Sequence, residues 1–97
     1  MYVFEKRVAE DYSIDLEWSG RLPTGKTLSS VAASAIRTDT SADATATVLG
    51  SPTPPVTGTA ARVRVKAGTA GLEYKITLTS TFNDGSILVD IWYMRVI

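Results

Sequence analysis

The sequence predicts an all-β fold built as a two-layer sandwich, and three observations carry the prediction. Clean apolar/polar alternation runs through Tyr12–Trp18 and again through Leu72–Thr79. An Asn83-Asp84-Gly85-Ser86 break separates the second run from the apolar stretch Ile87–Val96, the signature of a β-hairpin. Turn residues recur at short intervals along the chain, and no segment carries a sustained helical period.

Taken in order, Met1–Ala9 is a mixed lead-in, read as a short edge strand or an arm. Tyr12–Trp18 places Tyr12, Ile14, Leu16 and Trp18 on one face and Ser13, Asp15 and Glu17 on the other, as a half-buried strand does. Ser19–Gly25 is turn-rich, with Leu22 expected to tuck inward. Between Thr27 and Thr47, 15 of 21 residues are Ala, Ser or Thr. Alanine content allows a helix over Leu28–Ile36, but neighbouring Ser and Thr favour extended backbone, so a strand is expected there. A further strand is expected over Ala44–Leu49, with Thr38–Asp43 as the loop between them. Ser51-Pro52-Thr53-Pro54-Pro55 lacks the amides a ladder needs and is a connection. Val56–Ala61 resumes weakly. Arg62–Lys66 is a strand with Val63 and Val65 inward and three cations outward, and Ala67–Gly71 turns into the terminal hairpin. About seven short strands in one domain spanning 1–97 make an immunoglobulin-like sandwich ending in a hairpin.

With Asp84 and Gly85 as a two-residue loop, Phe82 pairs with Ile87, Ser80 with Val89, Leu78 with Ile91 and Ile76 with Tyr93 on the core face. Leu88, Trp92 and Met94 then fall on the outer face beside Asp90 and Lys75. Large apolar side chains in that position mark one of three things: a covering segment carrying Tyr2 and Phe4, an interface with another chain, or a bulge that shifts the register. Leu88, Trp92 and Met94 are therefore candidate interface residues.

Composition narrows the function. Hydrophobic content of 44% with 21% charged residues is that of a folded domain. Ten basic residues balance ten acidic ones, so no general field steers the chain to nucleic acid or anionic lipid. Without Cys or His, thiol chemistry, disulfides and the commonest general base and transition-metal ligand are missing. The N-terminus carries charges by its fifth residue and is not a signal peptide, and no run is long enough to span a membrane. A soluble product made in the cytoplasm is expected, with no catalytic, cofactor or metal site.

Asp11, Asp15 and Glu17 invite a cation, but along a strand Asp11 and Glu17 stand about 20 Å apart at ~3.3 Å per residue, so they read as a solvated face. Arg62, Arg64 and Lys66 form a basic stripe, a further candidate interface, that either contacts phosphate or an acidic partner surface or guards an edge strand against aggregation. Gly68-Thr69-Ala70-Gly71 lacks the Lys-Ser/Thr pair of a phosphate loop and is a turn.

Four segments carry a resemblance. They are Asp11–Leu16, Leu22–Ser30, Val63–Ile76 with its Gly-Thr-Ala-Gly-Leu-Glu-Tyr-Lys-Ile run, and the Asp-Gly hairpin. Together they resemble a family of roughly hundred-residue tailed-bacteriophage proteins, small immunoglobulin-like virion structural or tail-fibre adaptor proteins. Leu16 stands where that family often shows Trp, Lys26 where it shows an acid, and Ala32–Pro55 matches poorly. The resemblance implies a virion protein made in the host cytoplasm. It would dock in the neck or tail, or on the capsid, in symmetric multi-copy contact with other phage structural proteins. It supplies no catalytic residues, and the balanced charge and short apolar runs add the expectation of no cofactor and of neither nucleic acid nor membrane as partner. The alternative from residues alone is a carbohydrate-binding or adhesion module, with Trp92 and Tyr93 or Trp18 stacking on sugar.

Overall fold

The computed structural model describes residues 2–18 and 26–97. Within them the chain forms β1 (Tyr2–Lys6), β2 (Tyr12–Glu17), β3 (Leu28–Arg37), the short helix α1 (Thr45–Val48), β4 (Val56–Thr57), β5 (Ala60–Val65), β6 (Glu73–Phe82) and β7 (Ile87–Val96). Two sheets stack as an all-β, immunoglobulin-like sandwich. The larger has the order β1-β7-β6-β3, the smaller β2-β5-β4. All pairings are antiparallel except β1 with β7, which is parallel. The expected turn at Ser19–Gly25, with its inward Leu22, lies outside the described residues.

Alternation decides which side of each strand is buried. Val31, Ala33 and Ala35 of β3 face Tyr74, Ile76, Leu78 and Phe82 of β6 and Trp92, Met94 and Val96 of β7, all buried. Across the sandwich they meet Leu16 and Trp18 from β2 and its end, and Ala61, Val63 and Val65 of β5. The Ala- and Ser-rich third of the chain is thus a strand where its neighbours demand one. The expected strand over Ala44–Leu49 is instead the helical turn α1. Asp43 sets it up: its Oδ1 accepts from the Thr45 N–H at 3.1 Å and from the Thr45 hydroxyl at 2.7 Å. That local bonding diverts the backbone from the ladder, as short polar side chains do. Val48 and Leu49 drop into the core beneath it.

The terminal hairpin exists, but its loop has three residues. Gly85 N–H donates to Phe82 O at 2.9 Å, and Phe82 N–H donates to Ser86 O at 2.9 Å. Gly85 has φ +85°. This is a turn over Phe82–Gly85 closed by a left-handed glycine, the bulged alternative to the two-residue loop. The extra residue moves the pairing by one: Thr81 stands opposite Ile87, Ser80 opposite Leu88, Leu78 opposite Asp90 and Ile76 opposite Trp92. A one-residue slip turns every side chain of β7 over. Trp92 and Met94, expected outside, are 3% and 0% exposed. Of the three explanations for an outward Trp92 and Met94, the bulge is what the structure shows. Tyr2 and Phe4 also close over Trp92: β1 pairs with β7 from Tyr2↔Trp92 onward, and both rings stand edge-on to the indole, at 5.8 and 6.3 Å between centroids.

β1 is anchored by an unusual group. Lys6 is 1% exposed, and its ammonium donates to Arg7 O, Val8 O and Ala67 O at 2.7, 3.3 and 2.6 Å. Burial lowers its pKa, opposed by Glu10 and Asp11. Three carbonyls replace the water that a buried cation has lost.

Candidate protein interface

The candidates named from the sequence end in four different environments. Trp92 and Met94 belong to the core. Arg62 and Arg64 lie on the outer face of β5 as expected, yet β5 is the central strand of its sheet, so they guard no edge. They meet carboxylates of β2 and of Asp11 just before it. Arg64 makes a two-pronged contact with Asp11, Nε to Oδ1 and Nη2 to Oδ2, both at 2.7 Å, and Arg62 Nε reaches Asp15 Oδ1 at 3.5 Å. The guanidinium holds the Asp11 carboxyl below its usual range. The acidic face and the basic stripe are thus two halves of one cross-strand ladder. Lys66 follows β5, half-buried, with its amide donating to Val48 O at 2.9 Å. Trp18 and Trp92 are both buried, so neither indole offers a flat platform to a sugar.

Leu88, expected outside, turns with Trp92 and Met94 to the inner side of β7, where it is 37% exposed near the end of the strand, and the same flip uncovers a surface that the two-residue loop concealed. With the register corrected, Ile87, Val89, Ile91 and Tyr93 of β7 face outward, and Ile87 and Val89 are 59% and 52% exposed. Reading across the sheet, Ala32, Thr79 and Val89 form one row. Ser34, Thr77 and Ile91 form the next, and Ser30, Thr81 and Ile87 a third. These nine side chains are uncharged. Toward the far end of the strands, charges follow at Lys75, and then at Glu73, Arg95 and Glu5. A continuous uncharged band of threonine, alanine and β-branched residues on an open sheet face is what a protein-contacting surface looks like. The signal was present in the sequence as the Ile87/Val89/Ile91 alternation, but the predicted register assigned those residues to the core.

The tip of the hairpin borders this band and is rigidly held. Asp84 Oδ1 accepts from the Ser86 hydroxyl at 2.6 Å and the Ser86 N–H at 3.0 Å, and Lys26 Nζ lies 3.1 Å from Asp84 Oδ2. The Ser86 bonds and then Lys26 hold the Asp84 carboxyl far below its usual range. Asn83 and Thr27 exchange hydrogen bonds, fixing the tip to the entry of β3.

Residues 6–92 match the family described as podophage GP4 fiber-tail adaptor protein gp77. No curated protein matches the chain. With nearly its whole length covered, the chain belongs to this fibre-tail adaptor family of phage structural proteins.

Proposed function

We propose that the chain joins a podophage's tail to its fibre, docking on neighbouring virion proteins through the uncharged outer face of its four-stranded sheet. Family membership supplies the role, and the three charge-free rows are the observation that supports the surface. The opposite face is a poorer candidate, because Arg62 and Arg64 already meet Asp15 and Asp11. The role is structural rather than catalytic. It suits several symmetry-related copies around a tail axis, with attachment at the neck or tail rather than the capsid.

Thr79→Lys tests the surface, since it places a cation at the centre of the rows without touching the core. The variant is expected to melt within a few degrees of the parent and to lose at least tenfold in affinity for the purified tail or fibre protein of the same phage. Arg62→Ala should bind as the parent does. Unchanged binding of Thr79→Lys to both proteins would sink the assignment of this face.

A further inference from the structure

We infer that the free edge of β7 from Ile87 to Ile91 receives an extended strand from a partner protein, a strand with uncharged β-branched residues on its outer side and a Lys or Arg on its inner side. The inference rests on the adaptor reading and adds the mode of docking.

Among the described residues, β1 covers only the Trp92–Val96 half of the β7 edge. The hydrogen-bond phase shows what the other half presents. Val96 N–H donates to Leu72 O on the β6 side, while Ile97 N–H donates to Lys6 O on the β1 side. In an antiparallel pair these directions alternate by residue. Even-numbered residues of β7 therefore bond to β6, and the N–H and C=O groups of Ile87, Val89 and Ile91 point out of the edge. Asp90 Oδ1 accepts the Ile91 N–H at 3.1 Å, which leaves Ile87 and Val89 as the two open ladder positions. A bare edge flanked by exposed Ile87, Leu88 and Val89 is a template for strand addition.

Two features identify the guest. A second copy is a poor fit. Antiparallel pairing centred on Val89 would set Ser86 opposite the other copy's Trp92, a place Tyr2 already fills. A partner's strand meets no such obstacle across the five positions. Its outer side chains would extend the uncharged rows, which selects Val, Ile or Thr. Its inner side chains would point, like that of Asp90, toward a groove of about 390 Å³ walled by Tyr2, Ile14, Leu16 and Trp92, into which Asp90 brings a carboxylate that accepts from the Ile91 N–H and the Trp92 indole N–H. Aromatic walls and the negative charge of Asp90 suit a Lys or Arg side chain.

Val89→Pro is the direct test, because it removes an amide that points out of the edge and leaves the β6 ladder whole. The fibre and tail proteins of the same phage, purified, serve as probes, with Val89→Thr as the side-chain control. The expected result is wild-type binding to at least one probe, a tenfold or greater loss for Val89→Pro, and a clearly smaller loss for Val89→Thr. Binding should also weaken several-fold between 0.05 and 0.5 M salt, and the amides of Ile87 and Val89 should exchange more slowly in the complex. That exchange measurement needs only the wild-type protein, so it decides the matter even if Val89→Pro fails to fold. Val89→Pro binding as wild type, Val89→Thr failing equally, or unprotected amides would each overturn strand addition while leaving the adaptor role intact. Salt-independent binding would overturn the basic guest residue. Self-association lost in Val89→Pro would make the occupant a second copy and overturn the partner strand. A wild-type chain that binds neither probe would overturn the adaptor reading itself, and the strand with it.

Discussion

The indole N–H of Trp18 donates to the hydroxyl of Ser80 across the sandwich, at 3.1 Å, with both residues fully buried. Trp18 directly follows β2 of the small sheet and Ser80 lies within β6 of the large one. The bond therefore fixes the two sheets in register with each other. It also explains a serine on an otherwise apolar core face, because an indole buried without an acceptor loses its hydration for nothing. The edge-on contact of Trp18 with Phe82, 5.9 Å between ring centroids, extends the same anchor.

Ser80→Ala should therefore destabilise the fold by about 1–2 kcal/mol, the usual cost of stranding a buried donor. Trp18→Phe removes the donor itself, along with packing. The double variant is expected to fall short of the sum of the two single losses by ~0.5 kcal/mol or more, as for residues in direct contact. Urea denaturation of the four proteins measures the cycle. Strict additivity would mean that the bond contributes nothing.

Gly85 closes the hairpin at φ +85°, with nothing within 4 Å of where a Cβ would stand. Space is available there, so only the backbone conformation discriminates. Gly85→Val should cost about 1 kcal/mol or more, because a β-branched residue resists the left-handed region. Gly85→Asn should cost less, since Asn tolerates that region better. Thermal melts that rank Val and Asn equal would contradict this turn.

Acid stability follows from the aspartates. Arg64 holds the Asp11 carboxyl low, Arg37 does so for Asp39, Thr45 for Asp43 and Ser86 with Lys26 for Asp84. Each binds its proton more weakly in the folded chain than at the ordinary value of 3.8. The unfolded state thus takes up protons first as pH falls, and stability drops. The contribution is complete above about pH 5 and is lost progressively as pH falls through and below the ordinary carboxylate range. No histidine is present, so the melting temperature should be flat between about pH 5 and 8. Asp84→Asn should make the acid limb shallower. A limb centred near neutral pH would contradict the assignment.

The sequence foretold much of this fold because alternation reports burial directly. Leu16, Trp18, Val63, Val65, Ile76 and Leu78 are inside as expected, and Asp15, Arg62 and Arg64 are outside. Two features escaped for local reasons. Asp43 bonding to Thr45 turned Ala44–Leu49 into a helical turn, and a side chain bonding its own backbone leaves no periodicity to read. An Asp-Gly pair closes a two-residue loop or the last two positions of a three-residue loop, and the two differ by a single residue of register. That ambiguity inverted β7 and hid Ile87, Val89 and Ile91, so the candidate surface became visible only with the pairing. The partners of Arg62 and Arg64 were legible as residues but not as neighbours, since Asp11 and Asp15 stand about fifty positions away in sequence.

The corrected register makes its strongest demand at Trp92 and Met94. Under the outward pairing, Trp92→Ser with Met94→Ser would leave a folded monomer that merely fails to assemble. In the structure Trp92 packs against Tyr2 and Phe4, and Met94 lies in the core with no exposed surface. Truncating a buried Trp or Met costs about 2–5 kcal/mol each, and a hydroxyl placed there adds the cost of an unpaired polar group. Against a total stability of about 5–15 kcal/mol, the pair of changes should abolish cooperative folding at 37 °C. Val89→Ser, on the exposed side of the same strand, should leave the melting temperature within a few degrees. Circular dichroism melts of the double variant and Val89→Ser separate the two registers: a well-folded double variant would restore the two-residue loop and return Trp92 to the surface.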